Sequence, residues 1–403
     1  LHNRDILQRC DDSIARMAAG KPRIIRRSRG YVPAPVFLKT PTRRNILACG
    51  GELKNTIALS RGNTVFFSQH IGDLDNPAAL AFFENSIAHL QRILEIEPEI
   101  IAYDLHPEYL STKWALAQDL PKIGVQHHHA HLAAVMAENG VEVRTIGIIL
   151  DGTGYGTDGT IWGGEVLVGD FSGFERFAHL EPVPLPGGEA AIRQPWRMAV
   201  SYLYATFGEA LWDLPLPLLQ RISEEKVRII LQMIDKRLNA PLTSSCGRLF
   251  DGVAALLGIR DEINYEAQAA IELEMHIDET VDEFYAEALP ARTAKGALDW
   301  RPLIRVIVEE LQRGEPVGRI AVRFHRTFAE LFIRAAEHAR EETGLQRVGL
   351  SGGVYQNTYF FEYMVQRLQE HDFEVLTHSL VPTNDGGLAL GQIAIANATI
   401  EHG

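Results

Sequence analysis

From Asn45 onward the apolar positions alternate between two rhythms, short runs of strand character and longer stretches with a helical period. Residues 45–73 read as an apolar strand, a glycine turn at Gly50-Gly51, a second strand, an Arg61-Gly62-Asn63 hairpin turn and a third strand. Residues 145–180 repeat that order, with the glycine turn at Gly152-Thr153-Gly154-Tyr155. Two such units predict a duplicated α/β fold with a nucleotide phosphate held between two glycine hairpins, because glycine lets backbone N–H groups approach closely. A lone glycine turn more often makes a plain hairpin; the duplication gives this pair its weight.

Between the units, residues 99–107 predict a buried strand, 111–120 a helix, and 122–126 a strand that leads into a further helix. Such alternation implies a largely parallel, covered sheet with ligands at the strand ends. From about residue 187 to 346 the period is mostly helical, with apolar helices after Ser244, at 265–274 and at 319–343. A late strand leaves through Ser351-Gly352-Gly353 into a helix bearing Asn357, 373–378 predicts another strand, and 386–398 a helix of small residues. Ahead of all this, residues 1–40 read as a short separate piece. It has a strand-like start, a helical turn capped by Asp11-Asp12-Ser13, a basic strand over 24–30 and a proline-rich exit at 31–35.

Composition narrows the class. At 403 residues the chain is long for one core, so two lobes are expected. Hydrophobic residues at 46% and charged residues at 23% describe a soluble globular protein rather than a disordered one. The formal net charge of −13 invites neither nucleic acid nor an anionic membrane as partner. Cys10, Cys49 and Cys246 are widely spaced with no CxxC pair, which argues against a disulfide framework or thiolate zinc site and fits a reducing cytoplasm. There is no apolar run long enough to span a bilayer and no signal sequence. The chain opens at Leu1 in mid-pattern, as a piece of a longer protein would.

Candidate chemistry concentrates at 127–131, four histidines in five residues at the start of an apolar helical run. On a helix His127 and His131 project from one face, whereas His128 and His129 point elsewhere. Two imidazoles suit zinc or iron(II) once a carboxylate joins from another segment, and manganese fits a set with two carboxylates. Asp151 and Asp385, both in glycine-rich turns, are the candidates. The plain alternative is a histidine-rich helix start whose polar groups cap backbone. Arg193 and Arg197 suit either an anion or a solvated helix face. Asp251, or a polar residue of the helix at 265–274, could bind a ribose hydroxyl, though a carboxylate near a helix start is more often a cap. His325 and His338 are expected in packing and solvent roles.

HHHAH at 127–131, LDGTGYG at 150–156, GRLFDGVAALLG at 247–258, YEAQAAIELE at 265–274, LSGGVYQN at 350–357 and TNDGGLALGQ at 383–392 stand in this order. Together they resemble the C-terminal domain of the HypF family of hydrogenase maturation carbamoyltransferases, from about residue 45 to the end. HNRDI at 2–6, RCDDS at 9–13 and IRRSRGYVP at 25–33 resemble the tail of the YrdC-like domain that precedes it in that family. The implied organisation is a YrdC-like tail and linker at 1–40 and a TsaD-like carbamoyltransferase domain at 41–403. Its first subdomain would be about 41–140 with part of the C-terminal end, and its second about 141–375. The implied fold is α/β, the duplicated actin-like and sugar-kinase-like (ASKHA) ATPase fold with two subdomains around a nucleotide cleft.

Proteins of this family take carbamoyl phosphate and ATP, form carbamoyladenylate, and place the carbamoyl group on the C-terminal cysteine of HypE, which dehydrates it to supply cyanide for nickel-iron hydrogenase. Carried over by motif position, the resemblance implies a divalent metal, iron or zinc, on His127, His131, Asp151 and Asp385. It implies ATP, AMP or carbamoyladenylate in the cleft, with magnesium as a further ion. The phosphate would lie near Gly50, Gly51, Gly152, Thr153, Gly154 and Tyr155, helped by Lys54; the nucleoside near Asp251, Gln268, Gly352 and Gly353, with Asn357 on ribose or base. His127, His131, Asp151 and Lys54 would be catalytic. The similar tRNA-acting TsaD has serine in place of Asp151, which, with the negative charge, favours carbamoyl chemistry. The family's acylphosphatase domain and zinc fingers do not appear in this sequence. The expected activity is therefore the later half-reaction, from carbamoyladenylate to a thiol. The rival readings are a small-molecule O-carbamoyltransferase, a kinase of the same fold, and a non-catalytic nucleotide-dependent module that docks HypE.

Overall fold

The structure is a computed structural model and describes residues 8–291 and 295–402. It opens with an antiparallel hairpin, β1 (Ile14–Ala18) and β2 (Lys21–Arg26). A first sheet follows, from β3 (Val36–Phe37), β4 (Ile46–Ala48), β5 (Ala58–Arg61) and β6 (Thr64–Phe67). Helix α1 (Pro77–Leu94), N-capped by Asn76, crosses to β7 (Ile100–Asp104), and α2 (Leu110–Leu116) crosses to β8 (Lys122–Val125). The sheet order is β3-β6-β5-β4-β7-β8, an antiparallel meander continued by two parallel strands. The buried helix α3 (His127–Glu138) ends the unit.

The second unit repeats this plan around a larger insertion. Strands β9 (Thr145–Tyr155), β10 (Ile161–Asp170) and β11 (Gly173–Leu180) form the meander. The insertion holds the short strands β12 (Val183–Pro184), β13 (Leu242–Thr243) and β14 (Gly296–Leu298). Its helices are α4 (Glu189–Arg193), α5 (Pro195–Phe207), α6 (Pro217–Arg221), α7 (Glu224–Asp235), α8 (Cys246–Leu256), α9 (Gln268–Met275), α10 (Arg301–Arg313) and α11 (Val317–Thr343). The parallel strands β15 (Arg347–Ser351) and β16 (Glu374–Leu376), joined by α12 (Thr358–Glu370), then extend the sheet beyond β9. The unit ends in α13 (Leu388–His402). This duplicated topology is the α/β arrangement that the resemblance implied.

The two terminal helices exchange partners. Helix α3, from the first unit, packs on β9, β10 and β15; helix α13, from the second, packs on β4, β5, β7 and β8; and the two helices pack on each other. Both are apolar around most of their circumference, as a helix enclosed between two sheets must be. Their contact is backbone against backbone. A Cβ built at Gly391 would lie 1.9 Å from the carbonyl oxygen of Ala130.

Several expectations need correction. The helical turn at 11–13 does not form; Ser13 Oγ instead donates to the Arg29 carbonyl and accepts from the Ser28 amide, tying the two ends of the hairpin segment together. The basic strand spans 21–26 rather than 24–30, because Arg27 and Arg29 turn away to bond carbonyls of other segments. Nor is the amino-terminal piece separate. Arg9 stacks on Phe82 of α1, while Arg27 donates to the Leu380 carbonyl at 3.1 Å and Arg23 to that of His378, so it straps both units. The stretch at 2–6 lies outside the described residues. The second glycine turn is no hairpin: Gly154 pairs with Trp162 and Leu150 with Gly164, so Asp151-Gly152-Thr153 bulges within β9, and the hairpin follows at 156–160. Among the described residues, no helix is long and apolar enough to cross a membrane, and all three cysteines are free.

Gly391→Ala should destabilise the protein by about 1–3 kcal/mol, the usual cost of overpacking a closed contact. Thermal unfolding checks this, and an unchanged melting temperature would contradict the helix crossing described here.

Candidate metal centre and cleft

Three elements deliver four side chains to one point. Gln126 caps α3, its side chain accepting from the His129 amide at 2.8 Å, and so sets His127 and His131 on the helix's first turns. The β9 bulge carries Asp151, and the turn before α13 carries Asp385. One ligand atom from each of the four lies within 4.8 Å of the others. His131 Nε2 is 3.0 Å from Asp151 Oδ2 and 3.7 Å from Asp385 Oδ1; His127 Nε2 is 3.6 and 3.8 Å from the same two oxygens.

The far side of three of the four donors is already engaged. His127 Nδ1 contacts Asp104 Oδ2 at 2.7 Å, and His131 Nδ1 contacts Ser351 Oγ at 3.0 Å. Asp151 Oδ1 accepts the Gly152 amide at 2.7 Å and the Gly353 amide at 3.2 Å. What remains is His127 Nε2, His131 Nε2 and Asp151 Oδ2, all buried and without an aligned hydrogen bond. Buried polar atoms are rarely left so. A divalent cation bound by two imidazoles and two carboxylates would satisfy all three, and the donor set suits iron(II), zinc or manganese.

The electrostatics agree with that donor set. Burial alone would lower both imidazoles, but the neighbouring Asp104 and Asp385 carboxylates hold His127 well above its usual value, and Asp151 and Asp385 hold His131 above its own. Burial likewise pushes Asp151 up, and its contacts with both histidines outweigh this and hold it well below the carboxylate range. Without a cation, the histidines thus tend to carry the positive charge that the carboxylates demand. His128 differs: burial and the neighbouring His127 drive it well below its usual value, and it packs under Gly154 without facing the cluster. His129 reaches the Asp170 carbonyl instead.

The remaining predicted residues divide. Lys54 forms an ion pair with Glu266 across the cleft; burial opposes its charge, but Glu266, Asp385 and Asp151 together raise its pKa. Gly51 stands against Asp385, where a Cβ would lie 3.3 Å from Oδ2. Gly50 is not free to cradle a phosphate, because its amide donates to Gln392 Oε1 at 2.9 Å and its carbonyl accepts from Gln392 Nε2 at 3.0 Å. Nor are the Gly152 and Gly353 amides, which hold Asp151, or the Gly352 amide, which donates to the Thr383 carbonyl at 2.9 Å. Thr153 is half-buried on the bulge, Gly154 is buried, and Tyr155 is exposed with its ring 5.4 Å from His106.

Farther off, Asp251 is fully enclosed on α8, 2.8 Å from Arg248 Nη2 but without an aligned hydrogen bond, and burial raises its pKa. Gln268 accepts from the Asn264 amide and donates to Glu272. Asn357 caps α12 through its oxygen, and its Nδ2 contacts His325 Nε2 at 3.0 Å. His325 is buried, which lowers its pKa to about 4, and His338 pairs with Glu342. Arg193 pairs with Glu189, and Arg197 donates to Gln194, so neither is poised on an anion. Asp104, Ser351 and Gln392 escaped the sequence reasoning. A lone carboxylate closing the apolar strand YD at 103–104 was the one available signal.

Divalent-cation affinity should rise with pH, since each imidazole must shed a proton before its Nε2 can ligate. Because both folded-state values are raised, the competition should persist above about pH 6.5, the ordinary imidazole value. Zinc titration calorimetry checks this: affinity should climb between about pH 6 and 8 and disappear with His131→Ala or Asp151→Asn. A pH-independent affinity, or one that survives both substitutions, would contradict the assignment.

Comparison with known proteins bears on what such a site belongs to. Residues 147–392 match a family model described as the carbamoyltransferase Kae1-like domain, second subdomain, and residues 41–138 match the HypF Kae1-like domain. The chain is 40% identical to the carbamoyltransferase HypF of Synechocystis sp., covering 98% of this chain and 52% of that protein. It is 37% identical to a carbamoyltransferase HypF homolog of Cupriavidus necator, covering 87% of this chain and 91% of that one. It therefore spans about half the length of the full-size curated relatives. Among solved structures, full-length HypF in the phosphate- and nucleotide-bound form superposes with a TM-score of 0.94 at 43% identity, covering 100% of this chain and 62% of that one. HypF of T. kodakarensis superposes at 0.90 and 34%, covering 100% and 53%. Sequence, family models and fold thus agree that this chain belongs to the HypF carbamoyltransferase family, in its Kae1-like region.

Proposed function

We propose that this chain transfers a carbamoyl group from carbamoyladenylate to the thiol of the C-terminal cysteine of HypE, a step in making the cyanide ligands of nickel-iron hydrogenase. The carbamoyladenylate would derive from carbamoyl phosphate and ATP. The observation that carries the reading is the convergence of His127, His131, Asp151 and Asp385 between the two units, three of their donor atoms buried without aligned partners. Family membership supports the carbamoyl chemistry, and a relative's nucleotide-bound form supports an adenylate in the cleft.

A cation on the four side chains would supply Lewis acidity, drawing charge from the phosphate or carbamoyl oxygen. His127 and His131 offer Nε2 lone pairs whose direction is fixed from behind by Asp104 and Ser351. The Lys54 ammonium, beside Asp385 and Asp151, would meet the adenylate phosphate once it shares or leaves Glu266. Helix α3 and the turn into α13 aim their positive ends at the same region. Asp251, the nucleoside candidate by motif position, is enclosed against Arg248 and would have to exchange that contact for a ribose hydroxyl.

In the transfer itself, the acceptor sulfur forms a bond to the carbamoyl carbon as that carbon's bond to the phosphate oxygen breaks, and AMP leaves with the electron pair. The nucleophile comes from the partner. Cys49 and Cys246 are buried, and burial raises both thiols above their usual range, so neither is an activated thiolate.

Mass spectrometry of HypE mixed with this chain and carbamoyladenylate tests the proposal. A carbamoyl adduct on the terminal cysteine is expected, abolished by His131→Ala and slowed on the order of 10²-fold by Lys54→Ala, as when one charge-stabilising donor is removed. HypE bound without an adduct would overturn transfer in favour of a docking module. Transfer to small alcohols but not to HypE would overturn the thiol acceptor.

A further inference from the structure

Behind His131 the contact with Ser351 continues into a longer hydrogen-bonded chain. His131 Nδ1 lies 3.0 Å from Ser351 Oγ, Ser351 Oγ lies 2.9 Å from His378 Nε2, and His378 Nδ1 lies 2.8 Å from Glu138 Oε2. His131, Ser351 and His378 are 1%, 0% and 4% exposed, and only 2% of the Glu138 side chain meets solvent. Water is therefore a poor substitute for any link. The chain joins three elements: α3, which supplies both ends, the exit of β15, and the segment after β16.

Its polarity can be read from the Glu138 end. Burial pushes the Glu138 carboxyl upward, but the bonds from His378 and from the Ser379 and Leu380 amides outweigh this and keep it ionised, below its usual value. A carboxylate only accepts, so His378 Nδ1 must donate to it. In neutral His378 the lone pair then sits on Nε2, and Ser351 donates to it; the alternative acceptor for that hydroxyl, the Thr383 carbonyl, is farther at 3.5 Å. With its proton committed, Ser351 Oγ can only accept from His131, which places the His131 proton on Nδ1. His131 Nε2 is left bare, facing Asp151 and Asp385. The opposite polarity would put a proton on Nε2 and block ligation.

We infer that Ser351, His378 and Glu138 are positioning residues for His131, a buried relay that selects its Nδ1–H tautomer and aims the Nε2 lone pair at the cation site. The inference rests on reading the four converging side chains as a cation site. His127 is oriented by a carboxylate directly, whereas His131 reaches its carboxylate through two intermediaries. The segment that carries His378 is in turn held from outside by Arg23 and Arg27, so the amino-terminal hairpin buttresses the relay.

Zinc titration calorimetry and nitrogen-15 spectra of the imidazoles, on the intact chain, test the relay. Ser351→Ala should weaken zinc binding about 10–100-fold, as loss of an outer-shell partner does, and, at a pH high enough to leave the zinc-free imidazole neutral, should turn the His131 signal from an Nδ1–H tautomer into a mixture. Since Ser351 is enclosed, His378 gives a second pair. His378→Asn keeps a donor toward Glu138 but cannot reach Ser351, and should lose affinity in the same way. His378→Gln keeps an acceptor toward Ser351 and should retain most of it. Unchanged zinc affinity and tautomer in both Ser351→Ala and His378→Asn would overturn the relay, while failure of the unsubstituted chain to bind zinc would overturn the underlying site.

Discussion

The crossing of α3 and α13 governs this molecule. Each helix ends one unit and covers the sheet of the other, and they meet where Gly391 leaves room for the Ala130 carbonyl. A closer approach of two helices is hardly available, since no side chain intervenes. The consequence lies within two turns, at the helix starts. His127 and His131 are fixed relative to Asp385 by backbone packing and not by side-chain rotamers alone.

Around that crossing, polar groups are spent on holding other polar groups. Gln392 of α13 clamps Gly50 through two hydrogen bonds; Thr56 donates to the Gly386 carbonyl at 2.9 Å; Asn55 donates to the carbonyls of Cys49 and Gly51. The glycine-rich segments therefore act as close-packed supports for the carboxylates. Two buried carboxylates beside two buried imidazoles would be costly to desolvate if left uncompensated. Helix starts, backbone amides and mutual attraction offset that cost, and a divalent cation would offset more of it.

Much of this was legible from residue order. The duplicated strand–glycine–strand pattern yields the two meanders, and i,i+4 spacing within HHHAH correctly separates His127 and His131 from His128 and His129. Asp151 and Asp385 were candidates as carboxylates in glycine-rich turns, where aspartate is common, and the structure brings both to the histidines. The amide roles of Gly50 and Gly152 were not legible, since the same residues serve a phosphate cradle or a tight internal packing, and only the position of Gln392 and Asp151 decides. Asp104, Ser351, His378 and Glu138 escaped for a different reason. Their partners lie 23, 220, 27 and 240 positions away, and no local periodicity encodes such pairings. The amino-terminal hairpin looked detached for the same cause: its grip on the body is through arginines reaching distant carbonyls.

The most direct test of the cation site is anomalous diffraction at the zinc or iron edge from crystals soaked in the corresponding ion. The account predicts one strong peak within about 2.0–2.2 Å of His127 Nε2, His131 Nε2 and carboxylate oxygens of Asp151 and Asp385. A peak elsewhere, or a direct His131–Asp151 hydrogen bond with no peak between them, would contradict it.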